Sequence, residues 1–144
     1  MRCYLFDIDG TVADCSHRLH HILKHPKDWD SFFAECSDDA PIEHICDLVR
    51  LLMLDTPVVY VSGRSDQCRD LTEQWLKQHD IWTGYLYMRD EGDHRDDDIV
   101  KIDLLYQIRA EGWRPIMVFE DRSRVVLAWR EAGIPCAQVA EGNF

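Results

Sequence analysis

Five short apolar runs punctuate the chain, at residues 3–6, 58–61, 85–88, 116–119 and 136–139. None alternates strictly between apolar and polar positions, as expected of strands buried on both faces of a parallel sheet. Between these runs the apolar positions fall at helical spacing. Over 42–54 they are Ile45, Leu48, Val49, Leu51, Leu52 and Met53, with Pro41 at the start. Over 66–79, Leu71, Trp75 and Leu76 share a face behind Ser65 or Asp66 as cap. Val100, Leu104, Leu105 and Ile108 mark a helix over 97–111 before Gly112; Val125, Val126 and Trp129 mark another over 123–132, stopped by Gly133 and Pro135. Strands alternating with helices predict an α/β fold, an open five-stranded, mostly parallel, Rossmann-like sheet with right-handed crossovers and helices on both faces. Ligands of such sheets bind outside the carboxyl ends of the strands.

The stretch 14–40 breaks the alternation. It is long for a loop, and Trp29, Phe32 and Phe33 between Pro26 and Pro41 suggest short helices. Following the first strand, it is expected to lie over the carboxyl end of the sheet as a small lid within a single domain, 1–144.

Composition narrows the function. The apolar fraction is 46%, normal for a globular protein, and no apolar run reaches the roughly 20 residues a membrane span needs. With no leader pattern at the N-terminus, a soluble, cytoplasmic protein is expected. The six cysteines show no C-x-x-C pair and read as reduced thiols. The net charge of −11 opposes long-range attraction to nucleic acid, so any such substrate must be engaged locally. The segment 17–27, with four of the seven histidines, Arg18, Lys24 and Lys27, reads either as that local contact or as a solvated amphipathic helix.

Candidate chemistry sits at the ends of the apolar runs: Asp7-Ile8-Asp9-Gly10-Thr11, Ser62-Gly63-Arg64, Lys101 and Glu120-Asp121-Arg122. Attack on a phosphate ester needs a nucleophile, neutralisation of the phosphoryl oxygens and a proton for the leaving oxygen. Asp7 is the candidate nucleophile and Asp9 the candidate acid and base. Asp121 can complete an oxygen-only cation site with Asp7, and such hard ligands favour Mg²⁺. Ser62 and Lys101 offer a hydroxyl and an ammonium to the nonbridging oxygens. Taken singly, each has a plainer reading: Ser62 and Glu120-Asp121 as helix caps, Lys101 as a surface lysine.

In this order the four motifs resemble the haloacid dehalogenase superfamily of phosphatases, across essentially the whole chain. The stretches 88–101 and 120–130, with Gln138-Val139-Ala140 and Gly142-Asn143-Phe144, are similar to one branch, the 3′-phosphatase domain of phage polynucleotide kinase-phosphatase. The resemblance implies an aspartyl-phosphate intermediate on Asp7, with Asp9 as acid and base. It implies Mg²⁺ held by Asp7, Asp9 through its carbonyl, and Asp121, with Glu120 adjoining. Ser62 and Lys101 would hold the phosphate, with Thr11, Gly63, Arg18, Arg64 and Arg122 at the substrate and Asp97 positioning Lys101 or the metal shell. Glu120 stands where the family more often has Asp. No Gly-x-x-x-x-Gly-Lys-Ser/Thr loop is present, so a free-standing module is expected, with a separate kinase or ligase as partner.

The expected function is therefore removal of 3′-phosphates from DNA or RNA ends in nucleic-acid repair. The same core would serve a nucleotidase acting on free mononucleotides, which the acidic charge favours. A phosphoacceptor signalling module is a third reading, although its phosphorylated Asp would lie mid-chain. For Asp9 to serve as an acid near neutral pH, its pKa is expected to be raised by its carboxylate neighbours.

Overall fold

The computed structural model describes Met1–Phe144. Strands β1 (Arg2–Phe6), β4 (Val58–Ser65), β5 (Leu86–Arg89), β6 (Arg114–Glu120) and β7 (Cys136–Gln138) form one sheet in the order β5-β4-β1-β6-β7. All four pairings are parallel. The fold is the α/β class that the apolar runs predict. Strand β5 starts one residue later than expected, because Tyr85 is the exposed residue that leads into it.

Alternate residues of each central strand feed opposite faces, as the pleat requires. Phe6, Val58 and Tyr60 pack under α3 (Glu43–Leu52) and α4 (Arg69–Gln78). Leu5, Val59, Val61 and Val118 pack under α5 (Asp97–Ala110) and α6 (Ser123–Glu131). The buried stripe of α4 is Thr72, Trp75 and Leu76, with Leu71 turned outward. Strand β4 carries Ser62, Gly63 and Arg64 within its last turn of sheet, and α5 crosses over from β5 to β6 with Lys101 on its first turns. The strand order reverses about β1, which opens a crevice at the carboxyl ends of β1 and β6.

Two short strands, β2 (Ala13–Asp14) and β3 (Ala40–Pro41), pair antiparallel through Ala13↔Pro41 and Asp14↔Ala40. They form the neck of the segment between them. Between them lie α1 (His20–Leu23), α2 (Trp29–Ala34) and two 3-10 turns, Ser16–Arg18 and Cys36–Asp38. Asp28 caps α2, accepting from the Ser31 amide at 3.1 Å and the Ser31 hydroxyl at 2.7 Å. The insert has its own small core of Cys15, Ile22 and Phe32, against which Phe144 packs. No helix is long and apolar enough to cross a membrane.

Candidate active site

Asp7 leaves the end of β1, where its amide donates to the Phe119 carbonyl of β6 at 3.0 Å. That bond sets the Asp7 side chain beside the acidic pair ending β6. The Lys101 ammonium lies 2.8 Å from Asp7 Oδ1 and 2.7 Å from Glu120 Oε2, all three side chains being buried. Thr11 Oγ1 donates to Asp7 Oδ2 at 3.1 Å. Glu120 Oε1 accepts from the amides of Asp121 and Arg122, each at 3.1 Å, so both of its oxygens face donors. The extra methylene of Glu120 thus spans from the turn it caps to Lys101.

One oxygen each of Asp7, Glu120 and Asp121 lies within 4.8 Å of the others. Burial, then the Glu120 charge, hold Asp7 well above the usual carboxylate range despite Lys101. The same two causes raise Asp121 to about 7. Asp121 Oδ1 is buried without a hydrogen-bond partner. A Cβ at Gly10, where φ is 81°, would stand 2.0 Å from Asp121 Oδ2, so only glycine leaves room for this carboxylate. Clustered anionic oxygens, one of them unpartnered, fit a hard divalent cation such as Mg²⁺. The Asp9 carboxylate is not in this cluster.

Asp9 corrects an expectation. Burial raises its pKa, but the charges of Arg64 and Arg18 outweigh burial and bring it down to about 2. Arg18 Nη2 and Arg64 Nη2 each donate to Asp9 Oδ1 at 2.6 Å. Its nearest charged neighbour in sequence is acidic, Asp7, but its neighbours in space are these two guanidiniums. Arg18 is fully buried and does not line the cavity. Its remaining donors go to Asp39 and to the Phe32 carbonyl.

Asp39 is the residue that sequence reading missed. Its Oδ1 accepts from Arg18 Nε at 2.8 Å and lies 2.7 Å from His17 Nε2. Its Oδ2 accepts from Arg18 Nη2 at 2.6 Å and Arg64 Nη2 at 3.2 Å. Asp39 joins the insert to the motif on β4, and no local pattern marks it. The one available signal was a carboxylate at the neck of an insert that carries an arginine.

The other expected residues fall in the same region with distinct partners. Ser62 Oγ accepts from the Arg64 amide at 3.1 Å, which leaves the hydroxyl hydrogen as a donor. Asp97 lies 3.4 Å from Lys101, 3.5 Å from Arg89 and 3.6 Å from Arg122, gathering three cations about one carboxylate. Gly63 lets Asp97 approach, since a Cβ there would be 1.9 Å from Asp97 Oδ1. Arg122 donates to the Phe144 carbonyl and lies 5.1 Å from the Phe144 ring centroid. Asp7, Asp9, Gly63, Arg64, Asp97, Lys101, Glu120, Asp121 and Arg122 all line one cavity of about 490 Å³, while Thr11, Arg18 and Ser62 stand behind its wall. Trp29, Phe32 and Phe33 of the insert line the same cavity.

A carboxylate at the end of β1, a lysine on the crossover helix and an acidic pair at the end of β6 define a hydrolase of the haloacid dehalogenase type, a phosphatase. Solved structures agree at the level of fold: a haloacid dehalogenase-like hydrolase from Streptococcus pneumoniae superposes with TM-score 0.66 at 16% identity, over 94% of this chain and 83% of that one. The chain belongs to the polynucleotide kinase PNKP phosphatase domain family, whose model matches residues 1–144. It is 32% identical over 136 residues to a protein of Autographa californica nuclear polyhedrosis virus described as a bifunctional polynucleotide kinase/RNA ligase. A chain in the Pnkp1/Rnl/Hen1 RNA repair complex superposes with TM-score 0.86 at 26% identity over 99% of this chain. The chain spans 18% of the viral protein and 43% of that repair-complex chain. By family it is an enzyme, a phosphatase.

Proposed function

We propose that the chain is a Mg²⁺-dependent phosphomonoesterase that removes 3′-phosphates from DNA or RNA ends through an aspartyl-phosphate. The observation that carries this reading is the Lys101 ammonium seated 2.8 Å from Asp7 and 2.7 Å from Glu120 at the floor of the cavity. It neutralises a buried carboxylate without blocking it from a phosphoryl group entering above.

Asp7 attacks phosphorus, forming an O–P bond, while the bond from phosphorus to the 3′ oxygen breaks. Asp9 gives that oxygen a proton. Asp9 then takes a proton from water, the water oxygen attacks phosphorus, the Asp7–phosphorus bond breaks, and phosphate leaves. With its pKa at about 2, Asp9 is already a base. To act as an acid it must first leave the guanidiniums and take up a proton from solvent, and a phosphoryl group offers Arg64 another anionic partner. Mg²⁺ would be held by Asp7, Asp121 and the Asp9 carbonyl, and supplies Lewis-acid neutralisation of the phosphate when bound. Lys101 serves the nonbridging oxygens, and the Ser62 hydroxyl, just behind the cavity wall, keeps a hydrogen that reaches them once the wall gives way to the phosphate. Glu120 and Thr11 fix Lys101 and Asp7. The product, a strand bearing a 3′-hydroxyl, is what a ligase requires, so a kinase or ligase is the natural partner.

One observation favours a second reading, a nucleotidase: Asp90, Glu91, Asp93 and Asp96 line the cavity and would repel further phosphates. Initial rates with Mg²⁺ on a 3′-phosphorylated oligonucleotide, its 5′-phosphorylated isomer and free 3′- and 5′-mononucleotides separate the two. The 3′-phosphorylated end is expected to be turned over best, and Asp7→Asn to abolish turnover. Preference for a 5′-mononucleotide would replace the proposal with the second reading.

A further inference from the structure

Of the exposed large apolar side chains, Trp29 alone lines the cavity that holds Asp7 and Lys101. It is 37% exposed, a costly place for an indole unless something covers it. Its seat is rigid. The Phe33 ring lies 5.8 Å from it at an interplanar angle of 27°, and the Phe32 ring meets it edge-on at 5.7 Å and 87°.

That seat is tied to the reaction centre. The Arg18 guanidinium lies 4.3 Å from the Phe32 ring centroid and donates to the Phe32 carbonyl at 3.0 Å. Its Nη2 reaches Asp9 at 2.6 Å. The platform and the proposed acid therefore share one guanidinium, and their spacing is set by it. Beside the indole, exposed Lys27 brings its ammonium 5.7 Å from the Trp29 centroid.

The cavity's other wall is dominated by carboxylates, which repel phosphate. Asp90, Glu91, Asp93 and Asp96 face it, with Arg95 already paired to Asp93 at 2.8 Å and Arg124 to Asp96 at 3.0 Å. Affinity beyond the terminal phosphate must come from a neutral, flat surface, and aromatic stacking supplies it without reading sequence. The cavity, about 490 Å³, lies within the roughly 300–1,000 Å³ of small-ligand pockets, room for one nucleoside beside the phosphate.

We infer that Trp29 is the platform on which the base of the phosphate-bearing nucleoside stacks, with Lys27 beside the adjoining phosphodiester. This rests on the polynucleotide reading above. It makes the terminal base, and not the downstream backbone, the main determinant of substrate affinity.

The test compares two 3′-phosphorylated oligonucleotides that differ only at the last residue, one with a base and one with a stable abasic sugar. KM and kcat are measured for the wild type, Trp29→Ala and Trp29→Phe. In the wild type, KM for the abasic end is expected to exceed that for the intact end by roughly tenfold, the scale of one stacked base. Trp29→Ala is expected to bring that ratio close to one, and Trp29→Phe to restore most of it. The ratio is taken within each variant, so a general loss of activity cancels. An equal ratio in the wild type and Trp29→Ala overturns the inference while leaving the phosphatase reading standing. No turnover of either oligonucleotide by the wild type removes the polynucleotide reading and this inference with it.

Discussion

Arg18 joins Asp9 to Asp39 through a single nitrogen: its Nη2 lies 2.6 Å from Asp9 Oδ1 and 2.6 Å from Asp39 Oδ2. Asp39 thereby balances the two guanidiniums that hold Asp9. Removing it leaves Arg18 buried with a positive charge and one carboxylate fewer, a loss of about 3–5 kcal/mol for a broken buried pair. Asp39→Ala is accordingly expected to unfold at much lower urea. Asp39→Asn keeps the shape but not the charge, and is expected to fold while kcat falls about a hundredfold, the scale of a misplaced catalytic group. An Asp39→Asn enzyme with unaltered kcat would show that Asp9 is positioned without it.

The two carboxylate oxygens of Glu120 both face donors, Lys101 on one side and the Asp121 and Arg122 amides on the other. An amide there must turn its NH₂ toward a donor whichever way it flips. Glu120→Gln is expected to cost about 1–3 kcal/mol from the unsatisfied donors. Glu120→Asp keeps the charge but loses reach, and is expected to lower kcat more than stability. Urea midpoints and kcat measured together on both variants check this division.

How much was legible in advance depended on the range of each contact. Asp7, Ser62 and Asp121 could be read together because a parallel sheet sends every strand end to one edge, and Lys101 joins them from the first turns of the crossover helix α5. The core of each helix was legible because burial follows a local period. Leu71 misled because it lies at the margin of the stripe: the buried face of α4 is Thr72, Trp75 and Leu76, and Leu71 is left exposed beside it. Asp39 and the surroundings of Asp9 were not legible. They depend on Arg18 and Arg64, which reach Asp9 from 9 and 55 residues away. Arg18 sits in a segment that reads as either cationic surface or solvated helix, and nothing local says that the insert folds it inward.

Gly63 has an ordinary backbone conformation, yet a Cβ there would stand 1.9 Å from Asp97 Oδ1 and 2.9 Å from its Cγ. Displacing Asp97 releases Lys101, Arg89 and Arg122 from a shared partner. Gly63→Ala is expected to fold and to lose at least tenfold in kcat/KM, with a ΔΔG‡ of about 1.4 kcal/mol or more. If the loss acts through Asp97, Gly63→Ala and Asp97→Ala will not add. A double-mutant cycle in which the two losses sum fully would place the effect elsewhere.

Burial pushes the Tyr60 hydroxyl above the ordinary tyrosine range, and it donates to the Ile81 carbonyl at 2.6 Å. An acid whose pKa is raised by folding contributes its full stability below its unfolded value, 10.0 here, and loses it as pH climbs beyond. Tyr60→Phe forfeits that hydrogen bond, about 1 kcal/mol at neutral pH. The gap between the two proteins is expected to close within about one pH unit above the unfolded value, at about 1.4 kcal/mol per unit. Urea midpoints from pH 7 upward measure it; a constant gap would mean that the hydroxyl ionises equally in both states.

Burial, then the Glu120 charge, raises the pKa of both Asp7 and Asp121 in their shared cluster. A divalent cation binding there stabilises only the folded state, by about 2.7 kcal/mol at a hundred times its Kd. For a domain of 144 residues that raises Tm by roughly 5–10 °C. Asp121→Asn is expected to behave oppositely on two counts. In EDTA its Tm should exceed that of the wild type, because one buried charge is gone. With excess Mg²⁺ its Tm should stay put, because the cation has lost a ligand. Thermal unfolding of both proteins under both conditions gives four numbers. An equal Mg²⁺ shift in the two proteins would mean that the ion binds away from Asp121, and the cation would then have to be sought at the acidic rim instead.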